Sequence, residues 1–104
     1  MKITLVSLDQ FWEDKQKNIN ACEIFICKAS NIKSELIIFP EMTLTGFSMN
    51  IEKIGEIEEE SFTINKFREL SRKYNIAIIF GVVIKKSEKA ENRLVFLNNG
   101  GEIL

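Results

Sequence analysis

From Lys2 to Leu8 apolar residues alternate with polar ones, and several are β-branched, which predicts a first strand. Asp14 reads as an N-cap, and from Lys15 to Ser30 the residues Ile19, Cys22, Ile26 and Ala29 recur at helical spacing. Ile24 and Phe25 widen that apolar surface, which predicts a helix touching protein on more than one side. Leu36 to Phe39 is a continuous apolar run, as in a strand buried on both faces, and Pro40 closes it because proline cannot donate to the ladder. Met42 to Asn50 has no clean period and contains Gly46, so it reads as a loop. A second helix is predicted from about Thr63 to Tyr74, with Phe67, Leu70 and Tyr74 on one face. Ile76 to Ile84 reads as a central strand, Lys85 to Glu91 as a polar connection, and Arg93 to Leu97 as a further strand. Asn98-Asn99-Gly100-Gly101 then signals a hairpin turn, in which an Asn-Gly pair takes positive φ at both residues.

The resulting order, β-α-β-α-β-β, implies α/β architecture with a parallel or mixed sheet, and three layers are its simplest local arrangement. Only three residues follow the Asn-Gly turn, Glu102 to Leu104, so the polypeptide reads as cut inside a larger fold. Residues 1–104 are accordingly expected to form part of one domain, without repeats, low-complexity tracts or linkers.

Charge and composition narrow the chemistry. A net charge of −1 with no basic block argues against nucleic-acid binding and against a basic membrane-surface segment. No apolar stretch approaches membrane-spanning length and the N-terminus reads as a strand, so the expected compartment is the cytoplasm. There is no histidine, which removes a Ser-His-Asp triad, a Cys-His pair and an HExxH zinc site from this chain. Cys22 and Cys27, if on one helix, have Cα atoms about 8–9 Å apart, too far for a disulfide. Two thiols without histidine are also a poor metal site, and a thiol on the apolar stripe is a poor nucleophile. No metal or organic cofactor is expected.

Functional groups in α/β sheets gather beyond the carboxyl ends of the strands, and Glu41 stands there, directly after Pro40. A carboxylate in that place would be partly desolvated, as a useful general base is. The competing reading is a glutamate that simply leaves the sheet for water, and position alone favours it. Asp9, Gln10, Lys85 and Lys86 reach the same sheet edge and read as solvent-facing. Glu56 and Glu58 to Glu60 read as a solvated acidic cluster that suits the dipole of the following helix. Gly81, alone in mid-strand, reads as a site of close packing.

The stretch Leu36-Ile-Ile-Phe-Pro-Glu-Met-Thr-Leu-Thr-Gly-Phe47 resembles the glutamate motif of the nitrilase superfamily of carbon–nitrogen hydrolases: an apolar strand, Pro-Glu, and a short segment ending in Thr-Gly and an aromatic residue. That motif reverses the preference at Glu41. Leu5 to Gln10 resembles the family's first strand with its terminal glutamine, and Asn18-Ile19 the asparagine and apolar residue of its first helix. Ala77 to Val83 is similar to the strand after the second helix, and Asn92 to Leu104 to the family's hairpin. Trp12-Glu13-Asp14-Lys15, Glu41-Met42 and Thr45 to Asn50 look most like the omega-amidase branch, which hydrolyses the terminal amide of 2-oxo-acid amides.

The resemblance implies the N-terminal part of a four-layer α-β-β-α sandwich, with parts of both sheets and two outer helices, in a protein that is a homo-oligomer at full length. It implies hydrolysis of a small amide to acid and ammonia by a Glu-Lys-Cys mechanism. Glu41 matches the glutamate, the general base, and Phe47 matches a residue lining the substrate pocket. The family's lysine and cysteine fall beyond Leu104, and Cys22, Cys27 and Lys85 do not match their motifs, so the 104 residues alone are expected to be inactive. The alternative is a truncated, non-catalytic module that associates with a partner. A flavodoxin-like phosphate-binding domain would suit the α/β order but lacks its glycine-rich loop.

Overall fold

The sequence order becomes a single mixed sheet in the computed structural model, which describes residues 1–104. The strands are β1 (Ile3–Leu5), β2 (Leu36–Ile38), β3 (Ala77–Lys86) and β4 (Lys89–Leu97), adjacent in that order. The first three run parallel and β4 runs antiparallel to β3. The long helices are α1 (Lys15–Asn31) and α3 (Phe62–Tyr74), with a single-turn helix α2 (Ile51–Ile54) between β2 and α3.

Local signals start and stop these elements. The Asp14 side chain accepts from the Lys17 amide at 3.0 Å, and the Ser61 side chain from the Ile64 amide at 3.1 Å, so each long helix has a polar N-cap. Asn75, in the left-handed region at φ 52°, closes α3. Helices α1 and α3 lie on the same face of the sheet and share one apolar core. Ile19, Cys22 and Ile26 meet Phe67 and Leu70 over Ile37, Phe39, Ile78, Phe80 and Leu97. Within it Phe67 stacks on Phe80 at 4.3 Å between ring centroids and lies 5.6 Å from Phe39. That cluster fixes the end of β2, from which the candidate site emerges.

Several expectations change. There are two layers rather than three, and one sheet rather than parts of two, because both crossover helices fall on one side. The other face is largely open: Leu5, Leu94 and Phe96 are exposed, with Ile38 and Ile79 half-buried between them. Ile24 and Phe25 are likewise exposed, since α1 has protein beneath it only. The segment Lys85 to Glu91 is hairpin rather than connection, with Lys86 paired to Lys89 across a turn at Ser87-Glu88. Its polarity reflects a solvated tip, stapled by the 2.9 Å Lys86–Glu91 ion pair. At the other end of β4, Gly101 alone is left-handed, at φ 80°; the Gly101 amide donates to Asn98 O and the Asn98 amide to Glu102 O. This is a type I turn with a glycine bulge, not two consecutive positive-φ residues. The returning segment pairs Ile103 with Leu97.

Candidate functional site

Beyond β2 the chain turns across the open face of β3. The Phe39 amide makes the last strand bond, to Ile79 O at 2.9 Å, and Pro40 cannot continue the ladder. The backbone of Glu41 and Met42 then passes directly over Gly81, where a Cβ would stand 2.6 Å from Met42 N and 2.9 Å from Glu41 Cα. The close packing expected at Gly81 is therefore the crossing point of the Glu41 turn. Thr43 locks the crossing. Its amide donates to Gly81 O at 3.2 Å, its hydroxyl accepts from the Gly81 amide at 3.0 Å and donates to Pro40 O at 2.6 Å. Met42 occupies the left-handed region at φ 48°, a strained position for an unbranched side chain, and its side chain packs on Ile54 and Val83.

Two polar side chains hold this turn from below. Gln10 is half-buried rather than solvent-facing, and its Nε2 donates to Met42 O at 2.9 Å and Thr43 O at 3.0 Å. Asn18 is completely buried on α1; its Nδ2 donates to Phe11 O at 2.7 Å and Leu44 O at 2.6 Å, and its Oδ1 accepts from the Phe11 amide at 2.8 Å. It ties the segment after β1 to the segment after Glu41. Both residues belong to the sequence resemblance, yet nothing in their residue type announces these roles, because their partners are main-chain carbonyls.

The result displays the Glu41 side chain on the open face at the carboxyl end of β2. It is exposed, so the desolvation expected of it is not supplied by these residues. Its Oε2 accepts from Asn92 Nδ2 at 3.2 Å. Phe47 lies farther along the same turn and is exposed, near Trp12, whose ring packs against Gly46. Glu13, also left-handed at φ 51°, takes the Ser48 hydroxyl and, at 3.1 Å, the Lys53 ammonium. Those contacts, the Ser48 bond foremost, hold its carboxyl below the ordinary value.

Other candidates sit elsewhere. Cys22 is in the helix-side core, across the sheet from Glu41, and burial pushes its thiol up to about 12. Cys27 is half-buried on the outer side of α1, and Lys85 pairs with Glu52 at 2.8 Å. Of the supposed solvated acidic cluster, Glu56 is only 7% exposed. It binds Lys15 at 2.8 Å, the Thr63 amide at 2.9 Å, and the hydroxyls of Ser61 and Thr63. The reason is tertiary: α2 folds Glu56 under the start of α1, where Lys15 also donates to Ile54 O at 2.9 Å. No group of three or more Cys, Asp or Glu side chains is placed to hold a metal ion. No helix is long and apolar enough to cross a membrane.

Comparison with known proteins places this geometry. The family model for carbon–nitrogen hydrolases matches residues 2–104. The omega-amidase YafV of Yersinia enterocolitica is 29% identical over all 104 residues, which correspond to 39% of its length. Among solved structures, the whole chain superposes on an amidase from Nesterenkonia sp. AN1 in complex with acrylamide, with TM-score 0.85, 18% identity and 40% of that chain covered. It also superposes on an N-terminal amidase with TM-score 0.84, 21% identity and 26% covered. The Nesterenkonia enzyme is a nitrilase-superfamily amidase, so the α/β fold seen here is that of part of such an enzyme, and the chain spans less than half the length of these relatives.

Proposed function

The chain belongs to the carbon–nitrogen hydrolase family, and from that premise we propose that Glu41 is the general base of an amidase whose substrate is a small amide. One observation carries this reading: a strained, multiply anchored turn presents the Glu41 carboxylate at the carboxyl end of a central strand, with nothing but Asn92 bonded to it. Rigid presentation from a scaffold is what general-base catalysis requires.

In the mechanism that the family resemblance implies, Glu41 takes the proton of a cysteine thiol. The thiolate attacks the amide carbon, a lysine stabilises the tetrahedral oxyanion, and ammonia leaves with a proton returned by Glu41. Water, deprotonated by Glu41, then cleaves the thioester. Residues 1–104 contribute only the glutamate, because Cys22 is buried on the wrong face and Lys85 is committed to Glu52. On their own they are inactive. The likeness to an omega-amidase supports a 2-oxo-acid ω-amide as substrate, and Phe47, exposed on the Glu41 turn, suits a wall of the acyl pocket. The domain to which residues 1–104 contribute is a carbon–nitrogen hydrolase domain.

The experiment is ammonia release from small amides, 2-oxo-acid ω-amides included, by the full product of the gene. Glu41→Gln should lower kcat by a factor of about 10²–10⁴, and residues 1–104 alone should release none. Unchanged turnover in Glu41→Gln would remove the assignment. A non-catalytic module is favoured by one observation, the open apolar face around Leu5, Leu94 and Phe96. A gene product that stays monomeric, melts cooperatively and hydrolyses no amide would select it.

A further inference from the structure

We propose that Asn92 is a positioning residue that holds Oε2 of Glu41 and thereby makes Oε1 the oxygen that carries the proton. The inference rests on the reading of Glu41 as general base and assigns the chemistry within its carboxyl group.

The placement follows from strand register. Leu94 of β4 stands opposite Gly81, the point that the Glu41–Met42 backbone crosses, and Asn92 stands opposite Val83. Strand alternation puts Asn92 on the same face as Leu94, one pleat farther along. The Glu41 side chain extends from the crossing to meet it, Nδ2 to Oε2, at 3.2 Å across 51 residues of sequence. The flanking charges on β4 are engaged elsewhere: Glu91 pairs with Lys86 and Arg93, and Arg93 also reaches Glu58 at 3.1 Å. Gln10, the other amide at the turn, binds main-chain oxygens of residues 42 and 43. Asn92 is thus the side chain that orients the Glu41 carboxyl group itself.

The chemistry follows from donor inventory. An ionised carboxylate only accepts, so the Asn92 amide must present its NH2 to it. When the thiol S–H bond breaks, sulfur keeps the electron pair and the proton forms an O–H bond to Glu41. A proton on Oε2 would leave the Asn92 N–H only a hydroxyl oxygen, a poorer acceptor than a carbonyl oxygen. On Oε1 it leaves Oε2 as a carbonyl oxygen that still accepts. The Asn92 bond therefore persists through the transfer and fixes the carboxyl rotation, so that one lone pair direction, on Oε1, faces the nucleophile. Glycine or alanine at position 92 would leave the carboxyl free to turn between both oxygens.

The test uses the full gene product with asparagine labelled at the side-chain nitrogen, and steady-state ammonia release. Asn92→Ala should lower kcat about tenfold with KM unchanged, the pattern for an interaction that acts in the chemical step. Asn92→Asp, of the same shape but without the donor, should lower it at least as much, and Asn92→Gln should recover part of the loss. In Glu41→Ala the side-chain NH2 signals of Asn92 should move. Unchanged kcat in Asn92→Ala, or a rise in KM alone, would overturn the proposal, as would NH2 signals indifferent to Glu41→Ala. If the wild-type protein released no ammonia from any amide tested, the general-base reading would fail and this inference with it. The NH2 signals would then still report whether the contact exists.

Discussion

Gly81 lies so close beneath Met42 that a Cβ on the glycine would stand 2.6 Å from the Met42 amide nitrogen. The neighbouring atoms are main chain on both sides, and that main chain is tied by Thr43 to both the N–H and the C=O of Gly81. A methyl group there cannot be absorbed by a rotamer change. Gly81→Ala should destabilise the protein by about 1–3 kcal/mol, read as a lower denaturant midpoint at unchanged slope. It should also lower kcat, since whatever lifts the turn displaces Glu41. A variant as stable and as active as wild type would show that the turn is not seated on this strand.

Asn18 joins two segments that carry the site without touching Glu41. Its three bonds satisfy both main-chain groups of Phe11 and the carbonyl of Leu44 in a fully buried position. Asn18→Ala leaves those groups without their partner, the Leu44 carbonyl in a buried place and the Phe11 groups in a partly buried one, at a cost of about 2 kcal/mol. Hydrogen exchange should locate the loss: the Phe11 amide, which donates to Oδ1, should lose its protection, while amides within the β3–β4 hairpin keep theirs. Uniform loss of protection would mean that Asn18 supports the whole fold rather than the junction of these two segments.

What could be read from sequence depended on whether the deciding partner lay nearby. Helix α1 was legible because Asp14 caps it and Ile19, Cys22, Ile26 and Ala29 repeat at its own period. The position of Glu41 was legible from Pro40 and from the motif around it. The extent of the hairpin was not, since its tip carries charges on both strands and shows no alternation of burial. Helix α2 spans four residues, too few for a period. Glu56 resembled its acidic neighbours because the lysine that accounts for its burial is Lys15, far away in sequence. Gln10 bonds to main-chain oxygens, and Asn92 to Glu41 through a contact that only the sheet register creates.

The two cysteines should separate by reactivity. Cys22 is inaccessible in the core and burial pushes its thiol up to about 12, whereas Cys27 is half-buried at the edge of a surface hollow beside Tyr74. Under native conditions a thiol reagent should label Cys27 and leave Cys22 intact, and both should react once the chain is unfolded in denaturant. Peptide mass mapping distinguishes them. Native labelling of Cys22 at the rate of Cys27 would mean that α1 opens far more readily than its packing against Phe67 and Leu70 implies.

Glu56 should make stability depend on acid. Burial alone would raise its carboxyl, but the Lys15 ammonium, the Ser61 and Thr63 hydroxyls and the Thr63 amide outweigh that and hold it below the ordinary 4.5. A folded value below the unfolded one means that the unfolded chain binds the proton more readily. The stabilisation is therefore complete above about 4.5 and is lost as pH falls through the lower folded value. Glu56→Gln leaves Lys15 without its counter-charge and should cost about 2 kcal/mol at neutral pH. Its denaturation midpoint should vary less with pH than that of the wild type, and the two curves should converge in acid. Glu23 and Glu91 are also lowered, by Lys73 and Lys86 foremost, but these pairs lie near the surface and are screened by salt. Repeating the comparison at high salt should therefore flatten the acid dependence common to both proteins and preserve the difference between them. If that difference vanished with salt, the Glu56–Lys15 pair would be a solvated surface contact, and the burial that distinguishes it from its acidic neighbours would carry no energetic weight.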